Sequence, residues 1–464
     1  MQDLNALFAT MHAATRQGAA PTWPERKARL QTLRRLMLEN KDAICAAINA
    51  DFGNRPWQET QLLEMLQVLT EIDCALKKGK SWMQPRHSWA SLWLLPARNE
   101  ILPQPKGVVG ISVPWNYPLM LGLCPLAGAL AAGNSVLLKF AEDSPKFARL
   151  LQDLVAQHFA PDVLRVVCSE PGIAQAFVAL PFDHLLFTGS GYAGQKVMAA
   201  ASNNLTPVTL ELGGKSPVLL LPDADAARAA EVIIRSKLLN AGQTCLAPDY
   251  VLLRPEQMQP FIAAAKAWVN KHYPDIAHSP DYTRIINAKQ YARLAAMQKE
   301  AQQAGVQCLD LGTGASRPQD RVLLPQLLIE PPTDLRIMQE EIFGPLLPLL
   351  VYENVDDAIK GINARPRPLA LYVFGQKQEA IREVLAHTRS GGVTVNDCLL
   401  HVTQHDLPFG GVGASGMGHY HGKFGFDTFS HQRAVLHQSR WSSAGITQPP
   451  YGKKLTRLLR WMIR

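Results

Sequence analysis

Two textures of apolar residues divide the chain. Up to about residue 80 they recur at helical spacing. Thr22-Trp23-Pro24-Glu25 has the form of a capping box with proline in the first turn, and Leu30, Leu33, Leu36 and Leu38 follow, so 22–50 reads as helical. Beyond the punctuation Asp51-Phe52-Gly53-Asn54, a second helix is predicted over 58–78, carrying Leu62, Leu63, Met65, Leu66 and Leu69, with Gly79 as its stop. Residues 86–105 hold three prolines among Trp89, Leu92, Trp93, Leu94 and Leu95, a pattern that suits an extended arm. From there short apolar runs alternate with helical lengths. The runs at 108–113, 135–138, 164–167 and 184–187 make one set, with helices such as 145–158 and 173–180 between them. Those at 217–221, 250–253, 346–351, 370–374 and 393–395 make another. Such alternation predicts an α/β fold of two doubly wound parallel sheets, each covered on both faces. Residues 309–322, rich in glycine, proline and polar groups, read as a surface loop.

Composition adds limits. At 464 residues, two or three domains are expected, and 47% apolar with 19% charged residues is the balance of a folded soluble protein. Five of the formal +8 charges lie at Lys453, Lys454, Arg457, Arg460 and Arg464, which leaves about +3 for the first 452 residues. No basic stripe with interleaved aromatics marks a nucleic-acid surface. The seven cysteines are scattered without a CxxC, as expected for reduced thiols in a cytoplasmic protein with no metal site. Neither a signal peptide nor an apolar run long enough to span a membrane is present in the sequence.

Candidate chemistry concentrates at Cys245 and Glu211. A cysteine attacks as thiolate, and a carboxylate can activate water beside it. Cys245 follows Asn240-Ala241-Gly242-Gln243-Thr244; Glu211 ends an apolar run and precedes Gly213-Gly214, where it would face a crevice. Alone, the cysteine reads as a small buried hydrophobe and the glutamate as a solvated turn residue. Together, Glu211-Leu-Gly-Gly-Lys-Ser-Pro and Gly242-Gln-Thr-Cys-Leu-Ala-Pro-Asp-Tyr closely resemble the active-site pair of the aldehyde dehydrogenase superfamily. The resemblance runs from about 20 to 435. It is strongest to the class 3 and fatty-aldehyde branch, and within that branch to coniferyl aldehyde dehydrogenases.

This resemblance implies roles for four further motifs. In Val113-Pro114-Trp115-Asn116-Tyr117-Pro118, the Asn116 amide would share an oxyanion hole with the Cys245 N–H, and Trp115 would border the cofactor. Without the family, Asn116 reads as an Asx turn before proline. Lys139 and Glu142 match the residues that grip the adenine ribose, although Phe140-Ala141 replaces the usual Pro-Ser between them. Retention of Glu142 favours NAD, with NADP left open. Gly189, Gly191 and Gly194 also form a GxGxxG, which would make Glu211 a ribose ligand. The family pattern Phe-Thr-Gly-Ser-x-x-x-Gly instead assigns Gly189, Ser190 and Gly194 to the cofactor and leaves Gly191 fortuitous. Glu341 and Phe343, in Gln339-Glu-Glu-Ile-Phe-Gly-Pro, would meet the nicotinamide ribose and ring. The loop 407–416 matches one near the substrate entrance, which 57–70, Tyr117 and 399–405 would also line.

The architecture implied is two Rossmann-like domains plus a small β oligomerisation arm. The cofactor domain takes 1–80 and 104–211, the catalytic domain 212–396, the arm 81–103 and 397–432, and a basic tail 433–464. A homodimer is the assembly this branch implies. The expected reaction is oxidation of an aromatic or medium- to long-chain aldehyde to the acid, through a thiohemiacetal and thioester on Cys245 that Glu211 and water hydrolyse. A cofactor-independent esterase and a non-catalytic membrane-peripheral scaffold are the competing readings. In the tail, a helix over 451–464 would put Leu455, Leu458, Leu459 and Met462 on one face and Lys453, Arg457, Arg460 and Arg464 on the other. That amphipathicity fits a peripheral membrane contact or docking on the protein's own surface.

Overall fold

The computed structural model describes residues 3–441 and 448–463. The chain opens with a helix the apolar pattern did not announce, Leu4–Gln17, capped by Asp3 and burying Leu4, Phe8 and Met11. The stretch 22–50 is two helices, Trp23–Glu39 and Lys41–Phe52. They part at Asn40, whose side-chain amide donates to the Leu36 carbonyl at 2.8 Å. At the start of the first, the Glu25 carboxylate accepts the Thr22 N–H at 2.6 Å, as the capping box predicts. Next come Trp57–Thr60 and Leu66–Trp82, separated by a π-helical turn at Gln61–Met65. Gly79 does not stop this helix. A Cβ there would stand 2.7 Å from the Trp23 ring, so the glycine serves close helix contact rather than termination.

Strands β1 (Arg86–Trp89) and β2 (Arg98–Pro105) pair antiparallel. A parallel sheet follows from β3 (Val108–Val113), β4 (Ser135–Phe140), β5 (Leu164–Val167), β6 (His184–Gly189) and β7 (Val208–Leu212), in the spatial order β7-β6-β3-β4-β5. Helices Pro118–Ala132 and Pro145–His158 cover one face. The former is buried along its whole length, as its uniformly apolar sequence requires. Leu4, Phe8 and Met11 of the first helix help cover the other face.

The second sheet takes β8 (Pro217–Leu220), β9 (Tyr250–Leu253), β10 (Gln307–Asp310), β11 (Gln326–Ile329), β12 (Leu346–Val351), β13 (Ala370–Phe374) and β14 (Gly392–Val395), ordered β10-β11-β12-β9-β8-β13-β14. Only the edge pair β10–β11 is antiparallel in it. β10 thereby claims the first two positions of the expected loop 309–322. One apolar cluster runs from the Trp23–Glu39 helix through Pro118–Ala132 to the Ala226–Leu238 helix and β12, so the two sheets share a core.

The return of the chain corrects the expected arm. Within 397–432, β15 (Gly416–Met417) joins the first sheet beside β7, with Gly416 opposite Glu211. The helix Gly422–Thr428 then packs on Leu66–Trp82 and Pro118–Ala132. The arm's third strand is β16 (Ser430–His437), which crosses the expected 432/433 boundary because its pairing with β2 continues to His437 opposite Arg98. Lys453–Met462 is helical with no buried residue, while Arg464 of its expected polar face lies outside the described residues.

Candidate active site

Two loops and a strand end converge between the sheets. Asn116 follows β3 and precedes the helix Pro118–Ala132. Glu211 lies on β7. Cys245 follows the Ala226–Leu238 helix after a turn in which Asn240, Ala241 and Gly242 all take left-handed φ (52°, 51° and 75°). Left-handed backbone is strained for asparagine and alanine, and such strain persists only where surrounding contacts impose it. The contacts are visible. Asn240 Nδ2 donates to the Asn116 carbonyl (3.0 Å) and the Gln243 carbonyl (3.1 Å), and Gln243 Nε2 returns a bond to the Asn240 carbonyl (2.9 Å). At Gly242 a Cβ would lie 2.4 Å from the Gly344 carbonyl oxygen, so only glycine fits.

Asn116, Glu211 and Cys245 line one cavity of about 510 Å³ with Thr188, Glu341 and Phe343. Asn116 Nδ2 donates to the Gln243 carbonyl at 3.2 Å, which leaves its second N–H for a ligand. Glu211 makes no well-formed hydrogen bond among the described residues; its buried carboxylate has the Cys245 thiol and the Thr188 hydroxyl beside it. Burial pushes the Glu211 carboxyl up to about 7, and the Cys245 thiol and Thr188 hydroxyl counter this only in part. Burial, then the charge of Glu211, drives the Cys245 thiol well above its ordinary range. The sulfur is therefore held as a thiol beside a carboxyl that titrates near neutrality, a pair able to exchange one proton.

The expected cofactor residues divide. Trp115, Gly189, Ser190, Glu341 and Phe343 border the same cavity as the cysteine. Lys139 and Glu142 lie outside that lining, at and just past the end of β4. Burial lowers the Lys139 ammonium and Glu142 pulls it back up. Gly194 faces the sheet instead of the cavity. A Cβ on it would meet Leu212 at 2.7 Å, so it serves close packing of the Gly191–Ser202 helix on β7. Gly191 has open space around its Cα and no steric need to be glycine.

The Glu341 carboxylate sits against Gly213, where a Cβ would be 2.1 Å from Oε2. Burial, then the charge of Asp249, pushes its carboxyl up to about 8. A carboxyl kept partly neutral beside the nucleophile has bonding capacity to spare for ribose hydroxyls. The amino end of the Gly191–Ser202 helix, capped by Ser190, suits a phosphate group. Together these groups fit a dinucleotide.

Several groups at the site were given no role in the sequence reading. Lys215 pairs with Asp249 and donates to the carbonyls of Ile337 (2.8 Å) and Glu340 (2.9 Å). Asp249 accepts the Ile342 N–H at 2.9 Å. These bonds tie the segments after β7 and before β12 together around Glu341. Lys215 and Asp249 both lie inside the recognised motifs, so their presence there was the available signal. Trp115 and Phe343 meet edge to face at 5.5 Å, and Phe343 itself takes a left-handed φ of 50°.

Among known proteins, a family model described as the aldehyde dehydrogenase family matches residues 1–435. A Pseudomonas aeruginosa protein named "Probable coniferyl aldehyde dehydrogenase" is 46% identical over 459 residues, covering 99% of this chain and 96% of that one. The solved structure titled as the substrate-bound state of Staphylococcus aureus AldH superposes with a TM-score of 0.94 at 37% identity over the full length of both chains. A Mycobacterium tuberculosis aldehyde dehydrogenase complexed with NAD⁺ gives 0.83 at 27% identity, covering 94% of this chain and 90% of that one.

Proposed function

Since the chain belongs to the aldehyde dehydrogenase family, we propose that it oxidises an aldehyde through Cys245, with Asn116 and Glu211 as its partners. The observation that carries this reading is the meeting of these three side chains in one cavity, with the buried Glu211 carboxylate beside the Cys245 thiol. Attack by Cys245 Sγ on the carbonyl carbon forms an S–C bond, and the thiol proton passes to Glu211. The alkoxide that develops is met by the second N–H of Asn116 Nδ2 and by the Cys245 backbone N–H, whose amide already acts on the sulfur. NAD⁺, when bound, supplies the acceptor for the hydrogen leaving that carbon, with NADP⁺ left open as a second cofactor. Glu341 and Phe343 would hold its nicotinamide end, Gly189 and Ser190 its phosphates, and Lys139 and Glu142 its adenine ribose. The acyl group remains on Sγ as a thioester. Glu211 releases the thiol proton to solvent and then takes a proton from water, whose oxygen attacks that carbon; the C–S bond breaks, the carboxylic acid leaves, and the proton held by Glu211 restores the Cys245 thiol.

For substrate, the name carried by the Pseudomonas relative supports an aromatic, coniferyl-type aldehyde over medium- and long-chain aliphatic ones. Reduction of NAD⁺ by the purified protein with acetaldehyde, hexanal, dodecanal, benzaldehyde and coniferyl aldehyde tests both class and substrate. Turnover highest with coniferyl aldehyde and absent in Cys245→Ala is expected. A Cys245→Ala protein that still reduces NAD⁺ would overturn the mechanism, and hydrolysis of activated esters with no aldehyde turnover would favour the esterase.

A second reading concerns the tail. Among the described residues no helix is long and apolar enough to cross a membrane. The helix Lys453–Met462 instead carries Lys453, Lys454, Arg457 and Arg460 opposite Leu455, Leu458 and Leu459, none of them buried. Trp461, 75% exposed, has the amphipathic ring favoured at lipid headgroups. This supports peripheral contact with an anionic lipid surface. Co-sedimentation with phosphatidylglycerol vesicles should exceed that with phosphatidylcholine and vanish when 451–464 are deleted. Binding that survives the deletion would refute it.

A further inference from the structure

Beneath the cavity lies a buried charge cluster that the mechanism does not use. Arg55 is 1% exposed and lies just before the helix Trp57–Thr60. Its Nη1 donates to the Asn116 carbonyl at 3.1 Å and stands 2.8 Å from Glu64 Oε1, while Nε is 3.9 Å from Glu59 Oε2. The guanidinium lies 4.8 Å from the Tyr117 ring centroid and 5.1 Å from that of Phe52. Each carboxylate reaches onward. Glu59 Oε1 accepts the Asn240 N–H (3.2 Å), and Oε2 accepts the Thr283 hydroxyl (2.6 Å). Glu64 Oε2 accepts the N–H groups of Leu119 (2.8 Å) and Met120 (3.1 Å) at the amino end of the helix Pro118–Ala132.

The geometry has a direction. The π-helical turn Gln61–Met65 brings Glu64 inward, and such turns cluster at functional sites. One end of the cluster grips the Asn116 carbonyl and two N–H groups in the first turn of the helix that follows it. The other grips the first residue of the left-handed turn that leads to Cys245. Asn240 Nδ2 closes the circuit on the Asn116 carbonyl that Arg55 also holds. Two segments from different sheets thus meet on one cation. A buried ion pair is weak support for stability, since desolvation offsets most of its attraction. Fixing geometry is the stronger use of this one.

We propose that Arg55, with Glu59 and Glu64, is a positioning device that holds the Asn116 amide and the Asn240–Cys245 turn in the register the oxyanion requires. This rests on the oxyanion role proposed for Asn116. The effects of substitution at Arg55 must then depend on whether Asn116 is present.

A double-mutant cycle tests it, reading kcat and KM in Arg55→Lys, Asn116→Ala and the pair, with thermal melts and NAD⁺ binding as controls for folding. Arg55→Lys should lower kcat by roughly 10-fold or more, within the range expected for a misplaced oxyanion donor, and change KM less than about threefold. In the Asn116→Ala background the same change should cost less than about threefold, because groups acting as a unit are non-additive. Equal losses in both backgrounds, or wild-type kcat in folded Arg55→Lys, would overturn the positioning role and leave the oxyanion role standing. Wild-type kcat in Asn116→Ala would overturn both. Should Arg55→Lys not fold, Glu59→Gln, which removes one charge at constant shape, enters the same cycle and is judged by the same outcomes.

Discussion

Glu211 sets stability against chemistry at a single side chain. Its carboxyl ionises in the unfolded chain near 4.5 and in the folded protein near 7, so between those values the folded state holds the extra proton. Stability therefore falls as pH rises through that window. Glu211→Gln lacks the penalty, and we expect its melting temperature to exceed that of the wild type at pH 8 but hardly at pH 5. The gain between those two pH values should be on the order of 2 kcal/mol. The same variant should lose kcat by at least about 100-fold, since no base is left to take the proton from water. A melt series from pH 5 to 9 beside an NADH assay checks both signs. Cys245 shifts in the same direction. With its thiol held protonated by burial and by Glu211, inactivation by iodoacetamide should be slow at pH 7 and still climbing past pH 9. A rate that levels off below pH 8 would mean that the resting sulfur is already a thiolate. The residues of this pair were legible in the sequence through their motifs. Arg55 was not, because Asn116, which it bonds, and Asn240 and Thr283, which Glu59 bonds, are distant in sequence and no local pattern marks an arginine that bonds to a remote carbonyl.

Among the elements, legibility followed burial. Strands β3, β9, β12 and β13 coincide with apolar runs read directly from the chain, because strands covered on both faces are built mainly from apolar residues. The two-residue β15 has no such run, and its glycine is held by pairing to β7 rather than by side-chain pattern. Leu4–Gln17 escaped notice because only Leu4, Phe8 and Met11 of its residues are buried, too few to stand out among alanines. Helix ends depend on particular contacts. Gly133, at φ 94°, closes the helix Pro118–Ala132, and Arg26 lies over it to donate to the carbonyls of Ala131 (3.1 Å) and Ala132 (2.7 Å). A Cβ on Gly133 would stand 2.6 Å from the Arg26 guanidinium carbon. Gly133→Ala should thus combine backbone strain with a displaced cap and cost about 2 kcal/mol. Urea denaturation would show it as a lower midpoint at unchanged slope.

For the whole molecule, the small sheet β1-β2-β16 and the turn joining β1 to β2 bear side chains out of keeping with an isolated protomer. Trp89 is 93% exposed and Leu92 83%. A second copy covering this face fits the dimer expected from the family resemblance. Light scattering should then give twice the 51.1 kDa chain mass, and Trp89→Asp with Leu92→Asp should halve it without loss of the melt. A wild-type mass of one chain would refute the assembly. The order in which the strands appear along the chain bears on how it is made. β7, which carries Glu211, finds its outer neighbour only in β15, with Gly416 opposite Glu211. Some 200 residues separate the two, so at roughly 5–20 residues per second a ribosome takes about 10–40 s to supply the missing edge. During that interval the nascent first sheet presents an open strand, the kind of surface that pairs with neighbouring chains. Yield on overexpression should therefore be limited during synthesis, and slower growth or a chaperone that shields the nascent chain should raise it without changing the melting temperature of the purified protein.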